Sequence, residues 1–486
     1  MISGSIPEVP MRIIYMHSPP MIVVFTSPFE VVSSFSSFYL VFRRSGSSFP
    51  QEPGHGRFVR LFPLVLDQIK ELYQEHNGKD VTPNRYMYAL DEAEYLKILD
   101  SLHEESFRFL PLYRVFIPKP GRPGQFRPIT IPNPKDVLVM DALGAVLSQL
   151  YETIFLDCSH GFRKARGTRT CYWAVLGWKD VHYCITADVV RCFEIIPHAR
   201  LLDYIGNVVD DPKLLHLISF FLKTPIMDKK GIRYDGERGL PQGCPLSPVL
   251  MNIYMHELDM RVQTFLAASP YVHYVRYADN ILVGVCGVKL IKQEIILEKL
   301  NSLVADLELS LTISIHEKGG PSFLFLGILI KLYGDGHITL FAPLPRISHK
   351  ITTLFETHQA LITPITDPDD LEKQQKSVIE LYSHKLVSYL AFYCKGHNSR
   401  KTRELLRNKM LTACLLHLAK ISSAPLAAIK KKWGPALDRA PVPFITRKQT
   451  DSALKNILLK FHREQHKFLK GPHHRNSEDS APKRRK

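Results

Sequence analysis

The stretch Tyr274-Val275-Arg276-Tyr277-Ala278-Asp279-Asn280-Ile281-Leu282-Val283 constrains this chain more than any other. Two β-prone runs are joined by Ala-Asp-Asn, a pattern that predicts a tight hairpin with a carboxylate at its turn. Upstream, Ile185-Thr186-Ala187-Asp188 is a second apolar run ending on an isolated acid. Between the two acids runs Gly239-Leu240-Pro241-Gln242-Gly243-Cys244-Pro245-Leu246-Ser247-Pro248. Ser247 reads there as an N-cap and Pro248 as the first residue of a helix extending to about Phe265. Any one of these segments is an ordinary strand, loop or hairpin; their order is what narrows the choice.

That order resembles the palm of a reverse transcriptase, and most closely the group II intron reverse transcriptase/maturase family. Asn252-Ile253-Tyr254, His256-Glu257-Leu258-Asp259 and Phe323-Leu324-Phe325-Leu326-Gly327 agree with the same family. The resemblance implies an α+β right-hand polymerase fold, with reverse transcriptase fingers and palm followed by an α-helical maturase (thumb) domain. It divides the chain into an N-terminal extension (1–57), fingers and palm (58–335), a linker (336–370), the helical RNA-binding thumb (371–470) and a basic tail (471–486).

Nucleotidyl transfer builds charge on the attacking and leaving oxygens, and two divalent ions can clamp both. Mg²⁺ prefers carboxylate oxygens, so acids from separate strands have to converge. The family supplies one Asp from the first strand and two adjacent Asp from the hairpin; the matching catalytic positions here are Asp188, Asp279 and Asn280. Asp188 and Asp279 are thus the expected Mg²⁺ ligands, while Asn280 offers only a neutral amide. A third carboxylate is missing, and the segment Leu309 to Ser314 also lacks the lysine that the family usually carries there. Both departures imply weak or lost polymerase activity.

The same resemblance assigns the nucleotide to Lys119 and Arg127 of a fingers hairpin, to Phe193 five residues after Asp188, and to Gln242 and Gly243. Lysine and arginine suit phosphate oxygens, an aromatic ring against C2′ excludes a hydroxyl, and a glycine permits close approach. Ser159-His160-Gly161-Phe162-Arg163 resembles a template-side segment, with His160 in place of a tyrosine, and implies an RNA contact for Arg163. The hairpin strands are expected over Tyr113 to Pro120 and Phe126 to Pro132, with helices over Leu64 to Tyr73, Leu90 to Glu105, Asp136 to Ile154 and Leu290 to Leu307.

A net charge of +16 over 486 residues points to an acidic partner, most simply nucleic acid. From Lys395 to Lys432, ten lysines and arginines face the single acid Glu404. Arg400, Arg403 and Arg407 fall on one helix face, with Leu405, Leu406, Leu411, Leu415 and Leu418 available for burial. Together with Lys430, Lys431 and Lys432 they are the expected RNA-binding residues of the thumb. The loop marked by Pro343, Pro345, Pro364 and Pro368 is expected to separate palm from thumb. Eight cysteines without C-x-x-C spacing read as free thiols rather than a zinc site. Met21 to Phe42 is apolar, but Pro28, Glu30 and its serines argue against a membrane-spanning helix, so no membrane partner is expected.

The resemblance therefore implies a maturase that binds group II intron RNA and assists splicing, with an active RNA-directed DNA polymerase of a mobile intron as the alternative. Mg²⁺ is the cofactor if the palm is competent, and DNA becomes a partner if the intron is mobile; a homodimer is left open. The implied compartment is the mitochondrion, with the plastid as alternative.

Overall fold

The computed structural model describes residues 61–431 except 77–89, 120–123, 232, 235, 268–270, 288–292, 360–367, 395–396 and 430, with short strand fragments before residue 60. Most of the expected extension, the hairpin turn with Arg122, Lys430, Lys432 and the basic tail lie outside the described residues.

Helix α1 (Phe62–His76) is followed by α2 (Glu92–His103), which starts where the Asp91 carboxylate accepts the Glu94 N–H at 2.7 Å. Strands β1 (Leu112–Pro118) and β2 (Phe126–Ile131) pair antiparallel as the expected hairpin, with Pro118 opposite Phe126. Helix α3 (Pro134–Glu152) begins at Asn133, whose side chain accepts the Lys135 N–H at 3.1 Å, with proline in its first position. Residues Val137 to Leu143 are apolar almost all round, apart from Asp141 and the buried Asp136 one position before them, so α3 is buried on most of its circumference.

After α4 (Thr168–Leu176) comes β3 (Val181–Val189), which ends on the Asp188 segment. A short helix α5 (Cys192–Ile195), α6 (His198–Val208) and α7 (Pro212–Leu222) follow. Buried Asp211 joins two helix starts, accepting the N–H of Leu214 at 3.2 Å and that of Phe62 at 2.8 Å. Helix α8 (Ser247–Ala267) leads into β4 (Val272–Tyr277) and β5 (Asn280–Cys286), then α9 (Gln293–Ala305) and β6 (Leu311–Glu317). Ser247 does not cap α8 as expected: its hydroxyl donates to the Pro241 carbonyl at 2.7 Å, because the loop turns back under the helix start.

The central sheet has the order β4-β5-β3-β6, all antiparallel, and it separates two cores. Tyr183, Ile185, Ala187 and Val189 of β3 join Ile281 and Val283 of β5 in the first core, with α1, α3, α6, α7 and α8. Cys184, Val275 and Leu282 point the other way, into a second core with α4 and the described elements from Phe323 onward. The strand alternation of two faces is what allows one sheet to serve both.

The second core contains a three-stranded sheet, β7 (Phe323–Phe325), β8 (Ile328–Leu332) and β9 (Ile338–Phe341), and three helices, α10 (Leu344–Gln359), α11 (Pro368–Tyr393) and α12 (Ser399–Ile421). This corrects the expected linker over 336–370. Two of its prolines stand at helix starts rather than in a loop: Pro345 lies in the first turn of α10 and Pro368 opens α11, while Pro364 lies outside the described residues. Ile347 and Ile351 of α10 are fully buried in the second core, so β9 and α10 are structural parts of the thumb side. The segment Tyr389 to Asn398 fastens the thumb helices to the sheet: Asn398 exchanges two hydrogen bonds with the Ala342 main chain, and the His397 N–H donates to the Leu340 carbonyl at 2.7 Å. All eight cysteines are free thiols, six of them buried. Among the described residues no helix is long and apolar enough to cross a membrane.

Candidate functional site

The register of the central sheet places the expected catalytic residues together. Asn280 on β5 lies directly opposite Asp188 on β3, and Thr312 on β6 lies opposite Asp188 on the other side. Cross-strand partners share a face, so the Asp188, Asn280 and Thr312 side chains stand on one side of the sheet. Asp279 occupies the turn between β4 and β5, and its carbonyl accepts the Val189 N–H at 3.0 Å, which locks the turn to the strand end beside Asp188.

Asn280 does more than fill a position. Its amide donates to the Asp279 carboxylate at 3.0 Å, a bond that a third carboxylate in this position could not make. Burial raises the Asp279 pKa, partly offset by its own main chain, by Asn280 and by the charges of Arg127 and Arg276. The donor set at the sheet end is thus two carboxylates and one amide oxygen. Among the described residues no three His, Cys, Asp or Glu side chains are grouped as a metal site. Two hard anionic ligands suit Mg²⁺ in kind, but the set is one charge short of three carboxylates.

The Pro-Gln-Gly loop is held between fingers and palm. Gly243 has φ of 116°, and a Cβ there would lie 2.3 Å from the Thr130 carbonyl oxygen of β2. The closest approach this glycine permits is therefore to the fingers hairpin, where the Thr130 N–H also donates to the Gln242 carbonyl. The Leu240 N–H donates to the Phe193 carbonyl, tying the loop to α5, while the half-buried Phe193 ring packs against the first core. Arg127 is exposed on β2 and acts electrostatically on Asp279, so the hairpin brings its charge over the palm. Lys119 stands at the end of β1, its N–H donating to Gln125 at 2.8 Å as the hairpin closes.

The template-side segment divides. Gly161 is required because a Cβ would meet the Ala278 main chain at 2.4 Å, and Phe162 is 52% exposed beside Tyr277. Arg163 is a correction to the expected RNA contact. Its side chain is 2% exposed, pairs with Glu152 at 2.9 Å and donates to the carbonyls of Phe155, Leu156 and Ser159. That guanidinium braces the end of α3 and does not reach the surface.

The model of the family described as reverse transcriptase (RNA-dependent DNA polymerase) matches residues 117–328. An uncharacterized 91 kDa protein in the cob intron of Schizosaccharomyces pombe is 27% identical over 70% of this chain and 50% of its own length. The group II intron-encoded protein LtrA of Lactococcus lactis is 34% identical over 35% of this chain and 28% of its own. Residues 117–328 are thus a reverse transcriptase domain, and the relatives of this chain include proteins named as group II intron-encoded. Nuclear intron maturase 3, mitochondrial, of Arabidopsis thaliana is a further relative, 24% identical over 42% of this chain and 32% of its own. The chain spans half or less of the length of each of these relatives.

In this reverse transcriptase domain the residue that sequence reasoning passed over is Arg276. It is completely buried, and all five of its N–H donors are used: Nε and Nη2 on Asp259 at 2.8 and 2.6 Å, Nη1 on Asn252 and the Ala278 carbonyl, Nη2 also on Ser159. Tyr274 donates to the same Asp259 at 2.9 Å. Burial opposes the arginine's charge, but Asp259 and Tyr274 outweigh it and raise its pKa. The bond to the Ala278 carbonyl holds a non-glycine residue at φ of 57°, the left-handed turn that carries Asp279. A signal was present in the sequence: an arginine inside a β-run, and Asn252 and Asp259 seven apart on one helix face.

On the thumb, Arg400 is exposed at the start of α12, and Arg403 and Arg407 are half-buried along the same face; Lys431 is exposed. Leu406, Leu415 and Leu418 are buried in the second core, and Arg403, one turn before Leu406, lies at the edge of that buried side.

Proposed function

We propose that this protein is a maturase that binds group II intron RNA and assists its splicing, on a palm whose polymerase site is weakened. The observation that carries this reading is the Asn280 amide donating to Asp279 while lying in register with Asp188. Three carboxylates would repel one another and draw cations strongly; with an amide in the third place one negative charge is gone and one remaining carboxylate accepts from a neighbour. Any Mg²⁺ would be held by Asp188 and Asp279 with the Asn280 carbonyl. Bound there it would stabilise charge on the attacking and leaving oxygens. The cationic face of α12 supplies phosphate contacts, and the mitochondrial relative favours that compartment over the plastid.

A second reading, an active RNA-directed DNA polymerase, is favoured by the placement of Arg127, Gln242 and Phe193 around the palm. Purified full chain should retain a group II intron RNA over an unstructured RNA of equal length and stimulate its splicing, while extending a primer on an RNA template weakly. Robust extension at ordinary Mg²⁺ without an effect on splicing would replace the first reading by the second.

A further inference from the structure

A cavity of about 200 Å³ opens on the fingers, formed by the start of α1, the end of α2 and one face of α7. On α7 the residues Lys213, His216, Leu217 and Phe220 follow one another at helical spacing along that face. The floor is apolar and rigid: Phe62, Phe107 and Leu217 are each less than a tenth exposed. The rim is cationic. Lys213 pairs with Glu105 at 2.9 Å, which neutralises the one acid of the cavity and leaves Arg108 and His216 facing solvent.

Arg108 is the unusual member. Its guanidinium lies 3.7 Å from the centroid of the Phe220 ring, and its Nη1 donates to the carbonyls of Phe107 at 2.7 Å and Glu105 at 3.1 Å. An exposed arginine normally samples many rotamers, whereas this one is set over a ring and fastened to two main-chain oxygens. A planar guanidinium held by these contacts, with its side chain exposed, is a platform on which a planar heteroaromatic ring can stack at reduced ordering cost. The apolar floor suits the edge of such a ring, and the Lys213 ammonium and the His216 ring stand where an attached phosphate would need hydrogen-bond donors.

We infer that this cavity captures an unpaired nucleotide of RNA, its base stacked on Arg108 and its phosphate beside Lys213 and His216. The inference rests on the RNA-binding half of the proposed function, and it adds a contact remote from both the Asp188 site and the α12 face. An acidic protein segment is the competing occupant; the stacked arginine favours a base, since a peptide carboxylate would use the guanidinium edge.

The test uses the full chain and a single-stranded RNA bearing 4-thiouridine, cross-linked by light and mapped by peptide mass spectrometry. Cross-links are expected in residues 102–108 or 213–220. Phe220→Leu, which keeps apolar volume, and Arg108→Gln should each reduce that cross-link about tenfold, while total RNA retention by the thumb changes less than twofold. RNA retained with cross-links confined elsewhere, the result expected of a protein-docking cavity, overturns the inference and leaves the maturase reading intact. So does a cross-link unchanged in both variants. Failure of the unmodified protein to retain RNA at all overturns both.

Discussion

Two polar clusters lie within four residues of each other on one hairpin, and they are built on opposite terms. Around Arg276 every donor has an acceptor, the charge of the guanidinium is matched by Asp259, and water is excluded. Around Asp279 and Asn280 the side chains are half-exposed, the negative charge is reduced to two carboxylates, and one of these is satisfied by a neighbouring amide. The first cluster shapes the turn; the second is what the turn exists to present. The difference teaches that the scaffold of a polymerase palm can be complete while the charge it was shaped to display is short.

The largest effect is expected from breaking the first cluster. Arg276→Met leaves Asp259 buried without its cation and should cost about 3–5 kcal/mol in a denaturant titration. The double variant Arg276→Met, Asp259→Leu should recover much of that loss, because no buried charge remains. Equal loss in the single and double variants would show that hydrogen bonding, and not charge pairing, holds the turn.

Repairing the second cluster is the next largest. Asn280→Asp should raise Mg²⁺-dependent primer extension by up to about a thousandfold, equivalent to about 4 kcal/mol of transition-state stabilisation. Asp279→Asn should abolish residual extension, and neither change should alter RNA retention. If Asn280→Asp leaves extension unchanged, the deficit lies elsewhere, with the strand Leu311–Glu317 and its missing lysine the next place to look.

The thumb extends the comparison to a cluster whose charge is in excess. Neutralising Arg400, Arg403 and Arg407 to glutamine should flatten the salt dependence of RNA binding by about one unit of slope per lost phosphate contact. Filter binding across a salt series measures this, and an unchanged slope would remove α12 from the interface.

The smallest effect concerns Asp136, a buried acid that among the described residues has no ion pair like that of Asp259 with Arg276. Its carboxylate accepts the Leu110 N–H at 2.7 Å, yet burial raises its pKa to about 6. The folded chain therefore binds this proton more tightly than the unfolded one, and stability declines as pH rises from about 4 through about 6. Asp136→Asn, which keeps an acceptor for Leu110, should gain about 1–2 kcal/mol at pH 7 and almost nothing at pH 4. Thermal unfolding at the two pH values distinguishes this from a uniform shift.

Much of the architecture was legible along the chain because it depends on local pattern. The hairpin of Val272–Tyr277 and Asn280–Cys286, the fingers hairpin and the helices to either side follow from apolar periodicity and turn residues. The prolines of 343–368 misled, since proline at a helix start and proline in a loop look alike until the helix is seen to bury Ile347 and Ile351. Arg163 misled for a related reason: a motif names a residue but not the direction of its side chain, and Glu152 lies eleven residues back on another element.

What the sequence by itself determined is the inventory of charge: two acids and an amide at the palm, and an excess of cations on the thumb. No arrangement of the fold restores a carboxylate that the chain does not contain. Only the tertiary structure decided where those charges meet. Strand register set Asn280 against Asp188, the close approach of Gly243 to Thr130 joined fingers to palm, and helix α8 brought Asp259 beneath Arg276. These contacts join residues far apart in the chain, and their partners are selected by packing and desolvation of the whole core, which no local window of sequence records.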